Sequence, residues 1–432
     1  MRKLALVSMV AGLAASGSAL SATQIEWWHA MGGANGEKVD EIAAAFNASQ
    51  DAYQVKPVFK GNYTETMTSA IAAFRAKQQP AIVQVFEVGT ASMMAAEGAV
   101  YPVYKLMADT KQPFNQEDYL SAVTGYYTDK DGNMLSMPFN SSTPVLYYNK
   151  ELFAKAGVTA PKTWQEVETV SQKLLDSGVK CGFTTSWQSW VQLENFSARH
   201  NLPFASQANG FAGMDTELKF NGPAQVAHIE KMSEWQQNGI FSYGGRRSDS
   251  ASKFYSQECA MHMESSAGYA GVKRNAQFDF GVSELPYDSN VIKTPQNTII
   301  GGASLWVLQG KSQAEYQGVA SFLSFLSRAD VQADWHQFSG YLPITTAAYE
   351  LTKQQGFYDA NPGTDVAVKQ MTSVAPTENS KGLRLGNFVQ IRDIINEELE
   401  AVWSGKKTAQ VALDAAVERG NALLRKFEKA NQ

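Results

Sequence analysis

Short β-prone runs alternate with helical patterns along the first part of the chain, and this alternation limits the possible folds more than any other feature of the sequence. Strand-like runs span residues 24–28, 53–59 and 81–86, and helical patterns span 36–48 and 63–75. Strands that alternate with helices of about a dozen residues are typical of βα units, which form largely parallel sheets. The sequence therefore predicts an α/β protein.

The N-terminus has the pattern of a secretory signal peptide over residues 1–22. Arg2 and Lys3 precede an apolar run from 4 to 15, and small residues follow as far as Ala22. The apolar run is too short to act as a permanent membrane anchor. We expect cleavage after Ser21 or Ala22, and because no cysteine follows that position closely, we expect a periplasmic protein without a lipid anchor.

The length and charge that remain after such cleavage restrict the classes of function. About 410 residues are too many for one typical core and enough for two lobes. They include 35 Lys and Arg against 42 Asp and Glu, a formal charge of −7. No run of basic residues offsets this charge, so nucleic-acid binding is not expected, and an anionic ligand would need local donors.

The segment 138–150, PFNSSTPVLYYNK, changes in mid-course from turn-forming residues to a strand-like alternation. Such a segment suits a chain that crosses between two lobes, since the crossing bends while both ends are anchored in sheets. Its hydroxyl and amide side chains would then line an interlobe cleft and suit a small polar ligand. The alternative is a serine-rich surface loop that leads into an ordinary strand.

Cys181 and Cys259 are the two cysteines of the sequence, with 77 residues between them. In an oxidising compartment such a pair is expected to form a disulfide, although two buried free thiols are the alternative. Two cysteines without histidines at ligand spacing do not form a structural zinc site. We expect neither a metal nor another cofactor.

Signature motifs of enzymes are missing from the sequence, which has no GxSxG elbow, Walker loop, HExxH or GxGxxG after the first strand. Its histidines are scattered singly, as structural histidines are: His29, His200, His228, His262 and His336. A secreted hydrolase, for example a phosphodiesterase, stays an alternative because catalytic carboxylates can be far apart in the chain. The missing motifs nevertheless count against an enzyme.

Aromatic residues in polar surroundings are candidates for ligand binding. Trp187 and Trp190 lie among hydroxyl and amide residues, Tyr63 follows an asparagine, and Tyr341 follows a glycine. Aromatic faces of this kind suit stacking on the C–H surface of a polyol, while their polar neighbours bind its hydroxyls. The alternative role for each is packing in the core.

Three charged residues, Glu87, Arg384 and Arg392, are further candidates. Glu87 follows a strand, and the C-terminal ends of strands form the ligand edge of an α/β sheet. An arginine fork matches the tetrahedral oxygens of a phosphate. A solvated surface position is the alternative for each of the three.

Six short segments carry a resemblance that extends in order over nearly the whole length after the signal peptide: GNY (61–63), FEVGT (86–90), FNSSTP (139–144), IIGGAS (299–304), GYLPIT (340–345) and LRLGN (383–387). In these segments the chain resembles the glycerol-phosphate branch of the extracellular solute-binding proteins, a family related to maltose-binding protein. PKTWQEV (161–167) and WSGKKT (403–408) resemble the wider family.

The resemblance implies a two-lobe periplasmic binding protein fold of the type II, Venus-flytrap class, with interlobe crossing strands. Lobe 1 is expected over residues 23–140 and 298–340, and lobe 2 over 141–297 and 341–432. The implied function is capture of sn-glycerol-3-phosphate, with glycerophosphodiesters such as glycerophosphocholine as further candidate ligands. Delivery is expected to the permease subunits of an ABC importer with a cytoplasmic ATPase. A monomer is expected, and a sugar-binding relative is the alternative.

The resemblance also implies ligand contacts at Tyr63, Glu87, Ser142, Trp187, Ser265, Gly302, Tyr341 and Arg392, with Trp190 as a weaker candidate. The phosphate is expected among Arg392, Ser142, Ser265, Tyr341 and the backbone N–H of Gly302, and the glycerol among Glu87, Tyr63 and Trp187. At Ser265 the chain departs from the family pattern, since Met263 and Glu264 stand where small residues are expected. Their bulk can shift the loop that carries Ser265.

Overall fold

A computed structural model describes residues 21–96 and 98–431 of the chain. Almost the whole of the predicted signal peptide, residues 1–22, lies outside these described residues. Within them, no helix has both the length and the apolar character that crossing a membrane requires.

The strands form two sheets. In chain order they are β1 (Thr23–His29), β2 (Tyr53–Phe59), β3 (Ile82–Phe86), β4 (Val100–Tyr101), β5 (Met137–Ser142), β6 (Pro144–Asn149), β7 (Cys181–Thr185), β8 (Cys259–Ser265), β9 (Phe280–Ser283) and β10 (Gly301–Leu308). The first sheet has the order β2-β1-β3-β10-β4, with β5 also paired to β10, and the second has the order β7-β8-β6-β9. This arrangement confirms the predicted α/β class.

Helices connect the strands of both sheets. The longer ones are Gly33–Ala48, Tyr63–Arg75, Trp164–Asp176, Pro223–Asn238, Gln313–Leu326, Ala329–Ser339, Thr346–Gln354, Phe388–Trp403 and Ala409–Asn431. Shorter ones are Thr90–Ala95, Val103–Asp109, Ser121–Thr124, Lys150–Ala156, Asn195–Arg199, Ala251–Tyr255, Tyr269–Asn275, Phe357–Ala360 and Val366–Thr372.

Local sequence explains where several of these helices begin. The Asn62 side chain accepts a hydrogen bond from the Glu65 N–H, and the Glu65 carboxylate accepts one from the Asn62 N–H, which forms a capping box. The helix predicted over 63–75 has these bounds in the structure. A capping box predicted between Thr163 and Glu166 is also present and starts helix Trp164–Asp176.

The prediction of largely parallel sheets is wrong, since both sheets are mixed. Strand β1 is parallel to β2 and β3, and β7 is parallel to β8. Strand β10 is antiparallel to β3, β4 and β5, and β6 is antiparallel to β8 and β9. The reason is the way the chain crosses: β6 and β10 enter their sheets from the other lobe, so they begin at the edge where β3, β5 and β8 end.

The segment 138–150 crosses between the sheets, as predicted. Strand β5 ends at Ser142 in the first sheet, β6 begins at Pro144 in the second, and Thr143 stands between them. The Thr143 hydroxyl donates to the hydroxyl of Thr298, which lies in the second crossing, between β9 and β10. Thr143 and Ser141 are fully buried, which rules out the alternative of a surface loop.

The lobe boundaries stay a prediction. One backbone contact spans the boundary expected at 340/341, since the Leu120 N–H donates to the Ile344 carbonyl at 3.0 Å. The residues that follow Tyr341 are therefore tied to the segment around Leu120 as well as to the later helices.

Cys181 and Cys259 lie opposite each other where β7 and β8 begin. They are joined by a disulfide, with their Cα atoms 4.4 Å apart. The bond joins the N-terminal ends of these two parallel strands. Ser265, the last residue of β8, lies at the opposite end.

Candidate functional site

A cavity of about 160 Å³ lies where the first crossing passes between the two sheets. It is lined by all eight residues for which ligand contacts are predicted: Tyr63, Glu87, Ser142, Trp187, Ser265, Gly302, Tyr341 and Arg392. The other lining residues are Asn35, Phe86, Trp190, Ser248, Glu264, Ala267, Gly268 and Gly301. The structure thus brings the predicted set together from both sheets, and their contact with a ligand stays a prediction.

Arg392 lies on helix Phe388–Trp403 and reaches the cavity between two buried carboxylates. Its Nε donates to Oε1 of Glu194 at 2.9 Å, and its Nη2 donates to Oε2 of Glu194 at 2.7 Å. Nη2 also donates to Oε1 of Glu87 at 2.7 Å. These three bonds use Nε and Nη2, so they leave Nη1 as the guanidinium nitrogen available to a ligand.

Burial and charge act in opposite directions on this cluster. Burial works to lower the pKa of Arg392, but the charges of Glu194 and Glu87 outweigh it and the pKa lies above its usual value. Burial raises the pKa of Glu87, and the charge of Arg392 only partly offsets this effect. With both carboxylates ionised, the three side chains together carry one negative charge.

Glu87 is placed as the sequence predicts, in a 3-10 turn directly after β3. Its side chain, however, lies directly beside that of Arg392. The two residues were assigned to opposite ends of the ligand, yet their side chains are in direct contact at 2.7 Å. One acid–base cluster therefore faces the cavity here, and the orientation of a ligand depends on the side chains around this cluster.

Ser142 and Gly302 come from neighbouring strands at the crossing. Ser142 ends β5 and is paired with Gly301 of β10. Gly302 has φ +87°, a conformation that favours glycine, and a Cβ at this position would overlap the carbonyl oxygen of Asn140. Glycine is therefore required at position 302 because the backbones of β10 and β5 come very close together there.

Tyr63 and Tyr341 form an aromatic side of the cavity and are linked by a side-chain hydrogen bond. The Tyr63 ring stacks on Phe86 with centroids 5.2 Å apart, and the Tyr341 ring stacks on Trp335 at 5.4 Å. Nδ2 of Asn140 donates to the Tyr63 hydroxyl at 2.9 Å. Burial raises the pKa of both phenols, so both stay neutral hydrogen-bonding groups.

Two tryptophans lie on the side of the cavity that the second sheet forms. Trp187 has φ +47°, a conformation disfavoured for a bulky residue, which costs about 1 kcal/mol or more and is found mainly where surrounding contacts or function require it. Trp190 is buried, and its indole N–H donates to the Ile300 carbonyl at 3.3 Å. Its ring lies where a Cβ on Gly301 would be, so Trp190 is fixed by the strand that it covers.

Ser265 ends β8 opposite Pro144, the first residue of β6. Its hydroxyl accepts from the Ala267 N–H at 3.1 Å and caps the following turn. Its backbone N–H donates to Oε1 of Glu264 at 2.7 Å. Glu264, expected from the sequence only to add bulk beside Ser265, is buried and lines the cavity.

Glu194 was not predicted from the sequence, and Arg384, which was predicted, lies elsewhere; of the polar side chains expected to line the cleft from segment 138–150, Ser142 is the one among the cavity-lining residues that the structure describes. Arg384, a candidate from its charge alone, packs its guanidinium on the Phe211 ring at 4.4 Å and donates to the Tyr126 carbonyl at 2.7 Å. It lines a separate cavity of about 600 Å³. Glu194 could have been noticed as an acidic residue in the polar, aromatic segment 187–196. Its partner Arg392, however, is 198 positions away in the sequence.

The histidines are structural, as their isolated positions predict, because all five are buried. Burial lowers their pKa values: to about 4 for His29, His200 and His336, to about 3 for His262, and well below the usual value for His228. Among the residues that the structure describes, no group of three or more His, Cys, Asp and Glu side chains could hold a metal ion.

Comparison with known proteins gives a family match and close relatives. Residues 41–364 match the family described as bacterial extracellular solute-binding protein. The sn-glycerol-3-phosphate-binding periplasmic protein UgpB of Salmonella paratyphi A is 53% identical over 430 residues, which cover 99% of this chain and 98% of the relative. The UgpB of Yersinia pseudotuberculosis is 53% identical over 421 residues and 96% of both chains.

A solved structure shows the same fold. The UgpB of Mycobacterium tuberculosis, crystallised in complex with glycerophosphocholine, superimposes with a TM-score of 0.79 at 20% identity. The match covers 94% of this chain and 99% of that chain. The two-lobe architecture predicted from the sequence is therefore confirmed.

Proposed function

The chain belongs to the bacterial extracellular solute-binding protein family, and on that premise we propose that it captures sn-glycerol-3-phosphate in the periplasm and delivers it to an ABC importer. The identity of 53% with UgpB proteins over almost the full length supports this ligand. The protein acts as the binding component of a transport system and not as an enzyme. Its partners are the ligand and the permease subunits, and we propose that it works as a monomer.

The observation that carries the proposal is the buried Arg392 in a small polar cavity. Among the described residues that line the cavity, Arg392 is the one basic side chain. We propose that its Nη1 binds a phosphate oxygen, because charge-assisted hydrogen bonds from a guanidinium are about twice as strong as neutral ones. Ser142, Ser265, Tyr341 and the N–H of Gly302 would complete the phosphate site, and Glu87, Tyr63 and Trp187 would bind the glycerol.

The size of the cavity favours a small ligand. Its volume of about 160 Å³ is below the roughly 300–1,000 Å³ of pockets that take drug-sized molecules. Glycerol-3-phosphate suits this space better than an oligosaccharide does. Glycerophosphodiesters, one of which is bound by the Mycobacterium tuberculosis relative, are further candidate ligands that would require a more open cleft.

Contributions from both lobes explain how a ligand would be retained. Ser142 and Gly302 belong to the first sheet, and Ser265 is the last residue of β8 in the second. A ligand that contacts both sides binds the closed form better than an open form and shifts the population towards closure. The closed protein is then the form presented to the permease.

Isothermal titration calorimetry with sn-glycerol-3-phosphate, glycerophosphocholine and maltose tests the proposal. We expect saturable binding of glycerol-3-phosphate and no binding of maltose. Binding of maltose without heat from glycerol-3-phosphate would reassign the chain to a sugar-binding relative.

A further inference from the structure

Glu264 places a carboxyl group in the ligand cavity beside the proposed phosphate site. It lies on β8 directly before Ser265, and only 3% of its surface is exposed. The Ser265 N–H donates to its Oε1 at 2.7 Å. The side chains of Ser186, Ser248 and Trp187 lie beside this carboxyl group and act to lower its pKa by hydrogen bonding, against the larger effect of burial.

Among the described residues, no cation that faces Glu264 neutralises it. His262, on the same strand, has its Nε2 3.9 Å from Oε2 of Glu264, but burial holds its pKa at about 3 and leaves it neutral. The phenols that interact with Glu264 from neighbouring elements are Tyr147 of β6, Tyr255 of helix Ala251–Tyr255 and Tyr341. All three have raised pKa values and are uncharged near neutral pH.

The charges elsewhere at the cavity do not compensate Glu264 either. Arg392 is already shared between Glu87 and Glu194. With Glu264 ionised as well, these four side chains carry a net charge of −2. A phosphate monoester is mostly a dianion above pH 7, because its second pKa is about 6. A dianionic ligand would therefore enter a buried site that is itself negatively charged, which is unfavourable.

We propose that Glu264 is a specificity-determining residue that takes up one proton from solution when a phosphate monoester binds, and that its carboxyl O–H then donates to a phosphate oxygen. This inference rests on the proposed function. Protonation removes one negative charge and turns a repelling acceptor into a donor. Burial raises the pKa of Glu264 to about 7, so its carboxylate can take up a proton near neutral pH.

Calorimetry in two buffers with different heats of ionisation counts the protons taken up with sn-glycerol-3-phosphate at pH 7, 7.5 and 8. For the wild-type protein we expect uptake that approaches one proton at pH 8, with affinity falling by up to about tenfold per pH unit above pH 7. In Glu264→Gln we expect no uptake at pH 8 and an affinity that changes by no more than about twofold over this range.

Glu258→Gln is the matched control, since Glu258 pairs with Lys253 at 2.8 Å just before β8 begins and does not line the cavity. It should retain the proton uptake of the wild type. Glu264→Ala gives a second variant should the amide disturb folding, and it should also bind without uptake.

Two results would overturn the inference: binding to the wild type without proton uptake at pH 8, or the same uptake in the Glu264 variants. Failure of the proposed function is distinct, because then neither the wild type nor the variants bind sn-glycerol-3-phosphate at any pH.

Discussion

Arg392 donates two hydrogen bonds to the carboxylate of Glu194, from Nε to Oε1 at 2.9 Å and from Nη2 to Oε2 at 2.7 Å. This bidentate contact fixes the plane of the guanidinium. The sequence does not show that Glu194 is the partner of Arg392. Because Glu194 is itself 2% exposed, the pair is buried, and each partner compensates a charge that would otherwise be costly to bury. The contact uses Nε and Nη2, so Nη1 is the nitrogen of Arg392 left for a ligand.

Replacing Arg392 by alanine should weaken binding of sn-glycerol-3-phosphate by at least about 2 kcal/mol, since the phosphate loses a charged partner in a buried site. The variant should also be less stable, by about 3–5 kcal/mol, because Glu87 and Glu194 lose their compensating charge. Calorimetry and urea unfolding measure the two effects. Arg246→Ala is the control. Arg246 pairs with Glu400, which lies on the same helix as Arg392, but the Arg246 side chain is 40% exposed. Near-wild-type affinity in Arg392→Ala would remove Arg392 from the site.

Ser142→Ala should reduce the affinity for sn-glycerol-3-phosphate by roughly tenfold, the effect of losing one hydrogen bond to a charged group. Ser141→Ala is a close control on the same strand, because successive side chains of a strand point to opposite faces and Ser141 does not line the cavity. Titration of both variants should show a loss only for Ser142. Full affinity in Ser142→Ala would give the crossing a purely structural role.

The unfolding free energy should depend on pH through buried histidines such as His200. Its Nδ1 contacts the Phe196 carbonyl at 2.6 Å, its Nε2 accepts from the Asp288 N–H at 2.6 Å, and burial lowers its pKa to about 4. A lowered pKa stabilises the folded state fully above about pH 6.5 and less as the pH falls towards 4. His200 alone accounts for about 3 kcal/mol of this loss. Urea unfolding at pH 7.5 and 4.5 should show a smaller pH dependence in His200→Gln than in the wild type; equal pH dependence would contradict this account.

Removing the disulfide should lower stability but leave ligand binding intact. The bond closes a loop with a sequence separation of 78, for which chain entropy gives up to about 4 kcal/mol. Strand β8 extends for about 20 Å from Cys259 to Ser265, so the bond lies far from the cavity. A Cys181→Ala, Cys259→Ala double variant should unfold at lower urea concentration with unchanged affinity for sn-glycerol-3-phosphate. A large loss of affinity would show that the bond shapes the site.

Much of the fold could be predicted because its signals are local. The alternation of strands and helices, the capping boxes and the change of pattern within 138–150 each involve residues close in sequence. Strand direction was mispredicted because it depends on where the chain re-enters a sheet after a crossing, and a short strand carries no mark of its direction. For this reason β6 and β10, which were expected to be parallel to their neighbours, are antiparallel to them.

The candidate site was only partly predictable, for a related reason. Side chains whose type suggests ligand chemistry, such as Arg392 and Tyr63, could be proposed from the sequence and its resemblance. Glu194 could not, because its role exists only through contact with Arg392. Glu264 was noticed for its size, but its importance comes from burial and from the absence of a compensating cation among the groups that face it.

The most direct test of the account is a calorimetric titration of the purified mature protein with sn-glycerol-3-phosphate at pH 7, with Arg392→Ala measured in parallel. We expect saturable one-to-one binding by the wild type and a loss of affinity of at least about thirtyfold in the variant. Absence of binding by a folded wild-type protein, or equal affinity of the two proteins, would contradict it.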